Sequence, residues 1–251
     1  MIITKNLNKS FDNHHVLKGI DVAFDQGKTN LIIGQSGSGK TVFMKCISGL
    51  YSIDEGEISY NGRVLQNLNK KERKNLRKEI GMLFQGGALF DSMNVEDNVM
   101  FPLNMFSNMT LQEKKKRVDF CLDWVELAGN NNKLTSELSG GMIKRVAIAR
   151  AIVLNPKYLF CDEPNSGLDP RTSGVIDELI HRITQEFQMT TIVNTHDMNS
   201  VLKIGDKINY LYEGKLWWQG DKDSILETDN QKVNDFVFSM ELTKRLKKDE
   251  H

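Results

Sequence analysis

The stretch Gly34-Gln35-Ser36-Gly37-Ser38-Gly39-Lys40-Thr41 fits the pattern G-x-x-x-x-G-K-S/T and directly follows the apolar run Leu31-Ile32-Ile33. A glycine-rich turn between a strand and a helix points several backbone N–H groups, and the positive end of the helix dipole, at one place where a polyphosphate can lie. Glycine is needed there because a Cβ would obstruct both the turn and the phosphate. The stretch therefore predicts a phosphate-binding loop in an α/β domain.

Two side chains of this loop are candidates for direct contacts with a nucleotide. Lys40 would reach the β and γ phosphates as a point charge, and the Thr41 hydroxyl would ligate the Mg²⁺ that the nucleotide carries. A glycine-rich turn can also arise by chance, but the strand before the loop and the apolar residues after it disfavour that alternative. The predicted nucleotide-binding residues of the loop are Gly34, Ser36, Gly37, Ser38, Gly39, Lys40 and Thr41.

The composition limits the classes of protein to which the chain can belong. Its 251 residues suit one α/β domain with an insertion. Lys+Arg and Asp+Glu are equal at 33 each, so the net charge gives no reason to expect nucleic acid as a partner. Three widely separated cysteines predict reduced, partly buried thiols in a cytosolic protein. Because neither a signal-peptide pattern nor a run of 18 apolar residues occurs, any membrane role is expected to come through a partner.

Short apolar or alternating segments before the loop are typical of strands, and they cover residues 2–7, 16–24 and 29–33. Phe11 lies between the first two and is expected in a polar turn. Two interpretations of this aromatic side chain are open on the sequence alone. Its ring either packs locally or stacks on a nucleotide base near the loop.

A further buried strand is predicted at Ile80–Phe84, and it ends on Gln85 before two glycines. An amide at a strand end, followed by flexible glycines, suits a movable sensor, although an ordinary loop would look the same. Leu89 and Phe90 come next and are expected to form an exposed apolar pair. Such a pair beside a mobile loop marks a docking surface more often than a core.

The pattern becomes helical from about residue 86 to 155. Thr110-Leu111-Gln112-Glu113 is a capping box. Apolar residues then recur at i, i+3, i+4 and i+7 on one face, at Val118, Cys121, Leu122 and Val125. This segment predicts a helical insertion within the α/β domain.

A second strong helix opens at Leu138-Ser139-Gly140-Gly141-Met142, with Ser139 placed as its N-cap. Two glycines in the first turn leave backbone N–H groups open to an anion. The simpler interpretation is a capped helix and nothing more. The alternative is a second phosphate site at the start of this helix.

Two carboxylates, Asp162 and Glu163, end an apolar strand. In phosphate-loop enzymes an aspartate at such a position holds Mg²⁺. The adjacent Glu163 points the other way and can polarise an attacking water. Solvation of the sheet edge is the alternative, and the phosphate loop disfavours it. His196 follows a later strand, where it can donate to a γ-phosphate, although a lone histidine is more often structural.

The order of these motifs closely resembles that of the ATP-binding cassette (ABC) family over about residues 1–220. The motifs are the phosphate loop, Gln85, the L-S-G-G sequence at 138–141, the Asp-Glu strand end, the S-G-L-D turn at 166–169 and His196. The resemblance implies an α/β ABC ATPase domain with a phosphate-loop core, an N-terminal antiparallel β subdomain and an inserted α-helical subdomain. It also implies an ATPase that converts ATP and water to ADP and phosphate.

The resemblance carries roles for individual residues as well. It assigns catalysis to Glu163, with His196 at the γ-phosphate and Gln85 as a sensor of metal and water. Asp162, Thr41 and Gln85 would hold Mg²⁺. The ATP of a facing subunit would be bound by Ser139, Gly140, Gly141 and Asp169. Met142 stands where the family usually has Gln, beyond the phosphate contacts.

The middle of the chain, which varies within the ABC family, makes the resemblance more specific. Residues 82–99 and 101–103, and the signature L-S-G-G-M followed by Lys144-Arg145, are similar to the MlaF type of ABC subunit. That type powers MCE-type transporters, which move phospholipids between the two membranes of a Gram-negative envelope and maintain outer-membrane lipid asymmetry. The implied partners are a second ATPase subunit, an MlaE-like permease and an MlaD-like MCE-domain protein. The implied location is the cytoplasmic face of the inner membrane, and a small regulatory subunit is left open.

Other assignments stay open beside this one. A soluble ABC ATPase of iron–sulfur cluster assembly, or a transporter subunit for another substrate, would share the same motifs. The expected domains are an ABC ATPase domain at 1–225, with its helical insertion at about 86–155, and a helical tail at 226–251. The tail is expected to pack on the domain, with contact to a partner as the alternative.

Overall fold

The computed structural model describes residues 1–238, which form both strands and helices. The strands are β1 (Ile2–Phe11), β2 (His14–Phe24), β3 (Thr29–Ile33), β4 (Glu55–Tyr60), β5 (Arg63–Val64), β6 (Ile80–Leu83), β7 (Tyr158–Asp162), β8 (Thr190–Asn194), β9 (Lys207–Tyr212) and β10 (Lys215–Gly220). The helices are α1 (Lys40–Ile47), α2 (Lys70–Lys78), α3 (Val95–Phe106), α4 (Leu111–Trp124), α5 (Gly140–Ile152), α6 (Pro170–Glu186), α7 (Met198–Ile204), α8 (Ser224–Glu227) and α9 (Gln231–Val237).

A four-stranded antiparallel sheet in the order β2-β1-β4-β5 lies at the N-terminal end. Its first strand is longer than the apolar segment 2–7 predicts. β1 continues to Phe11, and β2 begins at His14 instead of residue 16. Backbone hydrogen bonds hold the polar tip of this hairpin without burial, which is why an apolar pattern does not detect it. Phe11 therefore ends a strand and does not lie in the turn, which is formed by Asp12 and Asn13.

A six-stranded sheet in the order β10-β9-β3-β8-β7-β6 forms the centre of the domain. β3 pairs in parallel with both β8 and β9, and β7 pairs in parallel with β8 and β6. The carboxyl ends of parallel strands meet at one edge of a sheet, where α/β proteins bind their ligands. Ile33, Asp162 and Asn194 all lie at that edge, so the topology gathers them although they are far apart in sequence.

Along the chain, the helices α3, α4 and α5 come between β6 and β7, two strands that are parallel neighbours in the sheet. α4 starts at the predicted capping box, in which the Thr110 N–H donates to Glu113 Oε2 at 2.7 Å and the Thr110 hydroxyl accepts from the Glu113 N–H. The four apolar residues that recur on its predicted face, Val118 to Val125, are completely buried. α5 also packs on β6, because a Cβ on Gly81 would lie 2.4 Å from the Ala151 carbonyl oxygen. The α/β fold class and its inserted helical subdomain are confirmed.

All three cysteines are free thiols, and they are fully buried instead of partly so. Burial raises the pKa of the Cys46 and Cys121 thiols to about 11, so they are inert as nucleophiles near neutral pH. No helix within residues 1–238 is long and apolar enough to cross a membrane. At the end of this range α9 packs against β9 through the rings of Phe236 and Tyr210, 5.4 Å apart. The basic part of the predicted helical tail, from residue 239 onward, lies outside the described residues.

Candidate nucleotide-binding and catalytic site

The phosphate-loop motif joins the fully buried strand β3 to the start of α1. Three of its glycines have left-handed or otherwise positive φ, at Gly34, Gly37 and Gly39. A Cβ on Gly34 would lie 2.3 Å from the Leu211 carbonyl oxygen, so a larger residue cannot pass there. At Gly37, by contrast, an added Cβ would meet no atom within 4 Å. The loop is therefore packed on its inner side and open on its outer side, as a cradle for phosphate requires.

Lys40 lies across this loop and is largely buried, with 9% of its surface exposed. Its ammonium donates to the carbonyl oxygens of Gly34 at 2.8 Å and Gln35 at 3.1 Å. Burial lowers the pKa of Lys40, and the nearby carboxylates of Glu163 and Asp162 oppose that shift. The ammonium is thus held over the loop at the position where a phosphate charge would balance it.

Ser38 gives a direct test of whether the loop fits a phosphate-bearing ligand. Its side chain is buried, and its Oγ has no hydrogen-bond partner among the described residues. A buried hydroxyl left in that way costs about 1–3 kcal/mol, so native proteins rarely keep one without a ligand, an ion or a water to satisfy it. Together with the open outer side of the loop and the Lys40 ammonium, this hydroxyl fits a phosphate-bearing nucleotide.

Thr41 and Asp162, the two residues predicted to hold Mg²⁺ through a hydroxyl and a carboxylate, are joined by a third side chain. The Asn194 amide donates to Asp162 Oδ1 at 2.6 Å and reaches Thr41 Oγ1 at 3.4 Å. Asn194 is buried, and its own Oδ1 has no partner within residues 1–238. Mg²⁺ is usually held by one or two protein oxygens and several waters, and this set of oxygens fits such a hydrated ion.

Sequence reasoning missed Asn194 as a site residue. The signal that would have found it is the one that singled out Asp162, namely a polar side chain that ends an otherwise apolar, buried strand. The two strands are neighbours, and Asp162 lies opposite Asn194 in their register.

Glu163 and His196 are brought together although 33 positions separate them. Glu163 Oε1 lies 2.8 Å from His196 Nδ1, with the glutamate mostly shielded and the histidine mostly exposed. Glu163 has a positive φ of 47°, and its N–H donates to the Asn194 carbonyl oxygen at 2.9 Å. A left-handed conformation at a non-glycine residue is costly and concentrates at functional sites. The turn directs the glutamate out of the sheet and toward the histidine.

Gln85 lies beyond the end of β6, and its side-chain amide donates to Ser166 Oγ at 3.1 Å. It makes no hydrogen bond to Thr41 or Asp162 within the described part of the chain, so its metal-binding role stays a prediction. Two cations of α5 hold the backbone around it. Lys144 donates to the Gln85 carbonyl oxygen, and Arg150 donates to those of Gly87 and Ala88 at 2.6 and 2.7 Å. The segment 85–88 is therefore attached to α5.

Ser139 caps α5 by accepting the Met142 N–H at 3.3 Å, and it is exposed. The two glycines after it have a packing role. A Cβ on Gly141 would lie 2.8 Å from the Thr172 methyl carbon, and one on Gly140 would lie 3.4 Å from Leu168 Cδ2. The start of α5 therefore lies against the start of α6. Binding of a second nucleotide by the first turn of α5 stays a prediction.

Asp169 is the N-cap of α6. Its carboxylate accepts the N–H groups of Arg171 and Thr172 at 3.0 Å and the Thr172 hydroxyl at 2.5 Å. The bonds from Thr172 and Arg171 hold the pKa of Asp169 below its usual range. Capping accounts for the residue within this chain, and its predicted contact with a facing subunit stays a prediction.

The ring contacts of Phe11 are with side chains outside the phosphate loop. Its ring is 40% exposed and lies edge-on to Tyr51, with centroids 5.6 Å apart, while Lys9 Nζ lies 5.1 Å from the ring centre. The local-packing interpretation describes these contacts. The exposed part of the ring leaves stacking on a base as a prediction.

An apolar groove of ≈310 Å³ lies between the end of β6 and the start of the helical subdomain. Phe90 stands in it, 39% exposed, with its ring centre 4.7 Å from that of Phe101. The Asn98 side chain accepts a hydrogen bond from the Phe90 N–H and donates one to the Phe90 carbonyl oxygen. The prediction of an exposed pair is half wrong, because Leu89 is partly buried against the main core.

Comparisons with known proteins agree on the kind of domain. Residues 17–166 match the model of the ABC transporter family. The methionine import ATP-binding protein MetN of Clostridioides difficile is 39% identical over 90% of this chain and 70% of its own length. The intermembrane phospholipid transport system ATP-binding protein MlaF of Haemophilus influenzae is 35% identical over 94% of this chain and 90% of its own length.

Among solved structures, a dimeric ATP-binding cassette in a post-hydrolysis state with ADP and Pi superposes with a TM-score of 0.80 at 31% identity. The match covers 88% of this chain and 99% of that one.

Proposed function

We propose, from the premise that this chain belongs to the ABC transporter family, that it is the ATPase subunit of a transporter that moves phospholipids between the inner and outer membranes. The observation that carries the enzymatic part is the Glu163–His196 pair at 2.8 Å, beside the phosphate loop and at the same sheet edge as Asp162. A carboxylate and an imidazole in that arrangement suit the activation of water for attack on a terminal phosphate.

In the proposed reaction, ATP lies along the loop, with Lys40 at its β and γ phosphates. Glu163 accepts a proton from the attacking water, whose oxygen forms a bond to the γ-phosphorus as the bond from that phosphorus to the β–γ bridging oxygen breaks. The products are ADP and phosphate. His196, held by Glu163, donates to the γ-phosphate. Mg²⁺, held by Thr41 and Asp162 with Gln85 as a further candidate, would neutralise charge on the phosphates.

The active assembly in this proposal is a homodimer around two ATP molecules. Each nucleotide is bound by the loop of one chain and by the start of α5, at Ser139, in the other. A dimeric relative with ADP and Pi supports this arrangement. ATP that bridges two chains binds the closed dimer better than the open one, which is the condition for a ligand to drive closure. Hydrolysis then reopens the dimer.

Closure is transmitted to a membrane permease through the groove around Phe90. The groove is mostly apolar, and α5 is hydrogen-bonded to both ends of the segment 85–88 that leads from Gln85 into it. The subunit would lie on the cytoplasmic face of the inner membrane, bound through an MlaE-like permease with an MlaD-like lipid-binding protein. In this proposal the ABC ATPase domain covers residues 1–225, and its helical insertion covers about 86–155.

Phospholipid as the substrate is supported by the MlaF-like residues 82–103 and by the 35% identity to an intermembrane phospholipid transport protein. A second candidate is methionine import, which the 39% identity to MetN favours. Both would use the same ATPase site, so only the transported substrate separates them.

The deciding experiment uses the full chain purified with its permease and reconstituted into lipid vesicles. Transfer of labelled phospholipid and uptake of labelled methionine are measured with ATP, for the wild type and for Glu163→Gln. The amide cannot take the proton of the water, so turnover should fall about 10²–10⁴-fold while ATP still binds. ATP-dependent phospholipid transfer that is lost in the variant supports the proposal. Methionine uptake without phospholipid transfer overturns it, and normal turnover by the variant would mean that another residue activates the water.

A further inference from the structure

Asp177 is a buried carboxylate in the middle of α6, with 1% of its surface exposed. No motif points to it, and it makes no contact with the phosphate loop. Burial raises its pKa, although Ser200 and Asn165 donate hydrogen bonds to it. A buried acid is rare unless its partners matter, and here they lie on two other segments of the site.

Each oxygen of Asp177 accepts one hydrogen bond. Asn165 Nδ2 donates to Oδ1 at 2.8 Å, and Ser200 Oγ donates to Oδ2 at 2.8 Å. The same Asn165 amide also reaches Ser200 Oγ at 3.0 Å. The three side chains form a closed network, in which loss of the carboxylate leaves the buried Ser200 hydroxyl without its acceptor and the partly buried Asn165 amide with Ser200 Oγ alone.

The two donors lie next to the two reacting side chains. Asn165 is in the turn that starts at Glu163, where the Ser166 N–H donates to the Glu163 carbonyl oxygen at 3.1 Å. Ser200 is in the first turns of α7, which follows His196 and is capped by Asp197. Asp177 therefore holds the backbone segments that carry Glu163 and His196 at a fixed separation.

A cavity of ≈650 Å³ runs along this network. It is lined by Glu163 and His196 and also by Asn165 and Asp177. A shift of the Asn165 turn would change the wall that faces the Glu163–His196 pair. Misplacement of reacting groups by about 1 Å can cost about 10²-fold in rate, even when the cause lies far from the chemistry.

We infer that Asp177 is a positioning residue for ATP hydrolysis. Its carboxylate, through Asn165 and Ser200, fixes the position of Glu163 relative to His196. This inference rests on the roles proposed above for those two side chains. It does not involve the phosphate loop, so binding of ATP is expected to be independent of it.

The neighbouring residue on α6 offers a matched control. Glu178 also links α6 to α7, through Lys203 Nζ at 3.3 Å, and Lys203 donates to the Gly174 carbonyl oxygen at 2.7 Å. Glu178 is exposed and touches neither Asn165 nor Ser200. Its replacement by Gln therefore weakens a contact between the same helices without disturbing the network.

The experiment compares Asp177→Asn, Ser200→Ala, their double variant, Glu178→Gln and Glu163→Gln in the full chain purified with its permease. The kcat and KM for ATP and the melting temperature are measured for each. Asp177→Asn keeps the size of the side chain but replaces one of its two accepting oxygens by an NH₂ group, which is itself a donor. We expect kcat to fall about tenfold or more, with KM changed less than about twofold. Ser200→Ala should show the same selective loss, and the double variant should lose little more than either single one.

The outcomes separate this inference from the function on which it rests. If Glu163→Gln abolishes turnover while Asp177→Asn and Ser200→Ala behave like Glu178→Gln, Asp177 is only structural and the inference fails. A rise in KM with kcat preserved would also overturn it. If Glu163→Gln turns over normally, the proposed catalytic role itself is wrong. Ser200→Ala removes a single hydroxyl, so it tests the network even if Asp177→Asn melts early.

Discussion

Gly141 illustrates how one residue can serve the packing of the domain and a proposed binding surface together. It lies in the first turn of α5, where backbone N–H groups are open, and the Thr172 methyl group of α6 stands where a side chain would be. The sequence alone suggests only that the glycines keep the first turn accessible. The structure adds that the absence of a Cβ lets α5 approach α6.

The close approach leads to a prediction on stability. Gly141→Ala should destabilise the fold, because overpacking costs about 1–3 kcal/mol, against less than about 1 kcal/mol gained by replacing a helical glycine. Thr172→Ser removes the obstructing methyl group and keeps the hydroxyl that donates to Asp169. The double variant should therefore recover most of the loss in a urea unfolding experiment.

Gly140→Ala is the matched control for that series. A Cβ there lies 3.4 Å from Leu168 Cδ2, an ordinary contact, so its unfolding midpoint should stay close to that of the wild type. Equal loss in both alanine variants would show that the Thr172 contact is not the cause.

At the scale of the element, α5 links several parts of the site. Its start is capped by Ser139, Lys144 in its middle donates to the Gln85 carbonyl oxygen, and Arg150 near its end donates to Gly87 and Ala88. Lys144 is buried, and burial lowers its pKa. Such contacts make the segment 85–88 follow α5, so a movement of this helix on nucleotide binding would reach the groove around Phe90.

The start of α5 carries the second prediction. In a chain that also has Glu163→Gln, so that ATP is kept, Ser139→Arg should leave binding of ATP by the monomer unchanged and prevent the ATP-dependent dimer. A bulky cation there would clash with the phosphates of the facing nucleotide site and oppose the helix dipole. Size-exclusion chromatography with and without ATP measures the dimer fraction.

Ser139→Ala separates capping from dimer formation. It removes the cap, at a cost of about 1 kcal/mol, and the hydroxyl at the shared site, without adding bulk or charge, so its dimer fraction should lie between those of Ser139→Arg and the parent. Should Ser139→Arg dimerise as well as its parent, the serine is only a helix cap and the proposed shared site is wrong.

The molecule as a whole places its ATP site and its apolar groove at different parts of one sheet. The phosphate loop follows the internal strand β3, whereas the groove lies at the edge strand β6 and includes Phe90. The opposite edge strand, β10, carries another exposed aromatic, Trp217. An aromatic side chain at each edge allows a docking experiment in which a substitution at one edge is compared with a substitution at the other.

Phe90→Asp should release the subunit from its permease while its fold and its ATP affinity are retained. The ring is exposed enough to contact a partner, and loss of a buried aromatic anchor costs about 2 kcal/mol or more of binding, to which an unpaired charge adds. Co-purification with the detergent-solubilised permease measures the effect, beside a thermal melt of the variant.

Trp217→Asp makes the same chemical change at the far edge of the sheet and should co-purify normally. Full co-purification of a stably folded Phe90→Asp would place the docking surface elsewhere. Unfolding of that variant would identify Phe90 as part of the core, held there by Phe101 and Asn98.

The sequence by itself determined the class of the fold and the position of the phosphate loop between a strand and a helix, because both depend on local patterns. The glycine spacing at 34–39, the apolar runs that became β3, β7 and β8, the capping box of α4 and the Ser139 cap all follow from short-range geometry. Domain boundaries and the roles of the site residues stay predictions. The polar tip of the β1–β2 hairpin was missed, because backbone pairing and not burial holds it.

Only the tertiary structure decided which distant residues meet. β3 lies between β8 and β9, which follow it by more than 150 residues, and this order sets Asn194 between Thr41 and Asp162 and His196 against Glu163. It also packed Leu89 partly against the core and enclosed Asp177 with Asn165 and Ser200. The physical reason is that a periodic pattern specifies which face of an element is apolar, whereas the choice of neighbouring strand depends on how all the faces pack together.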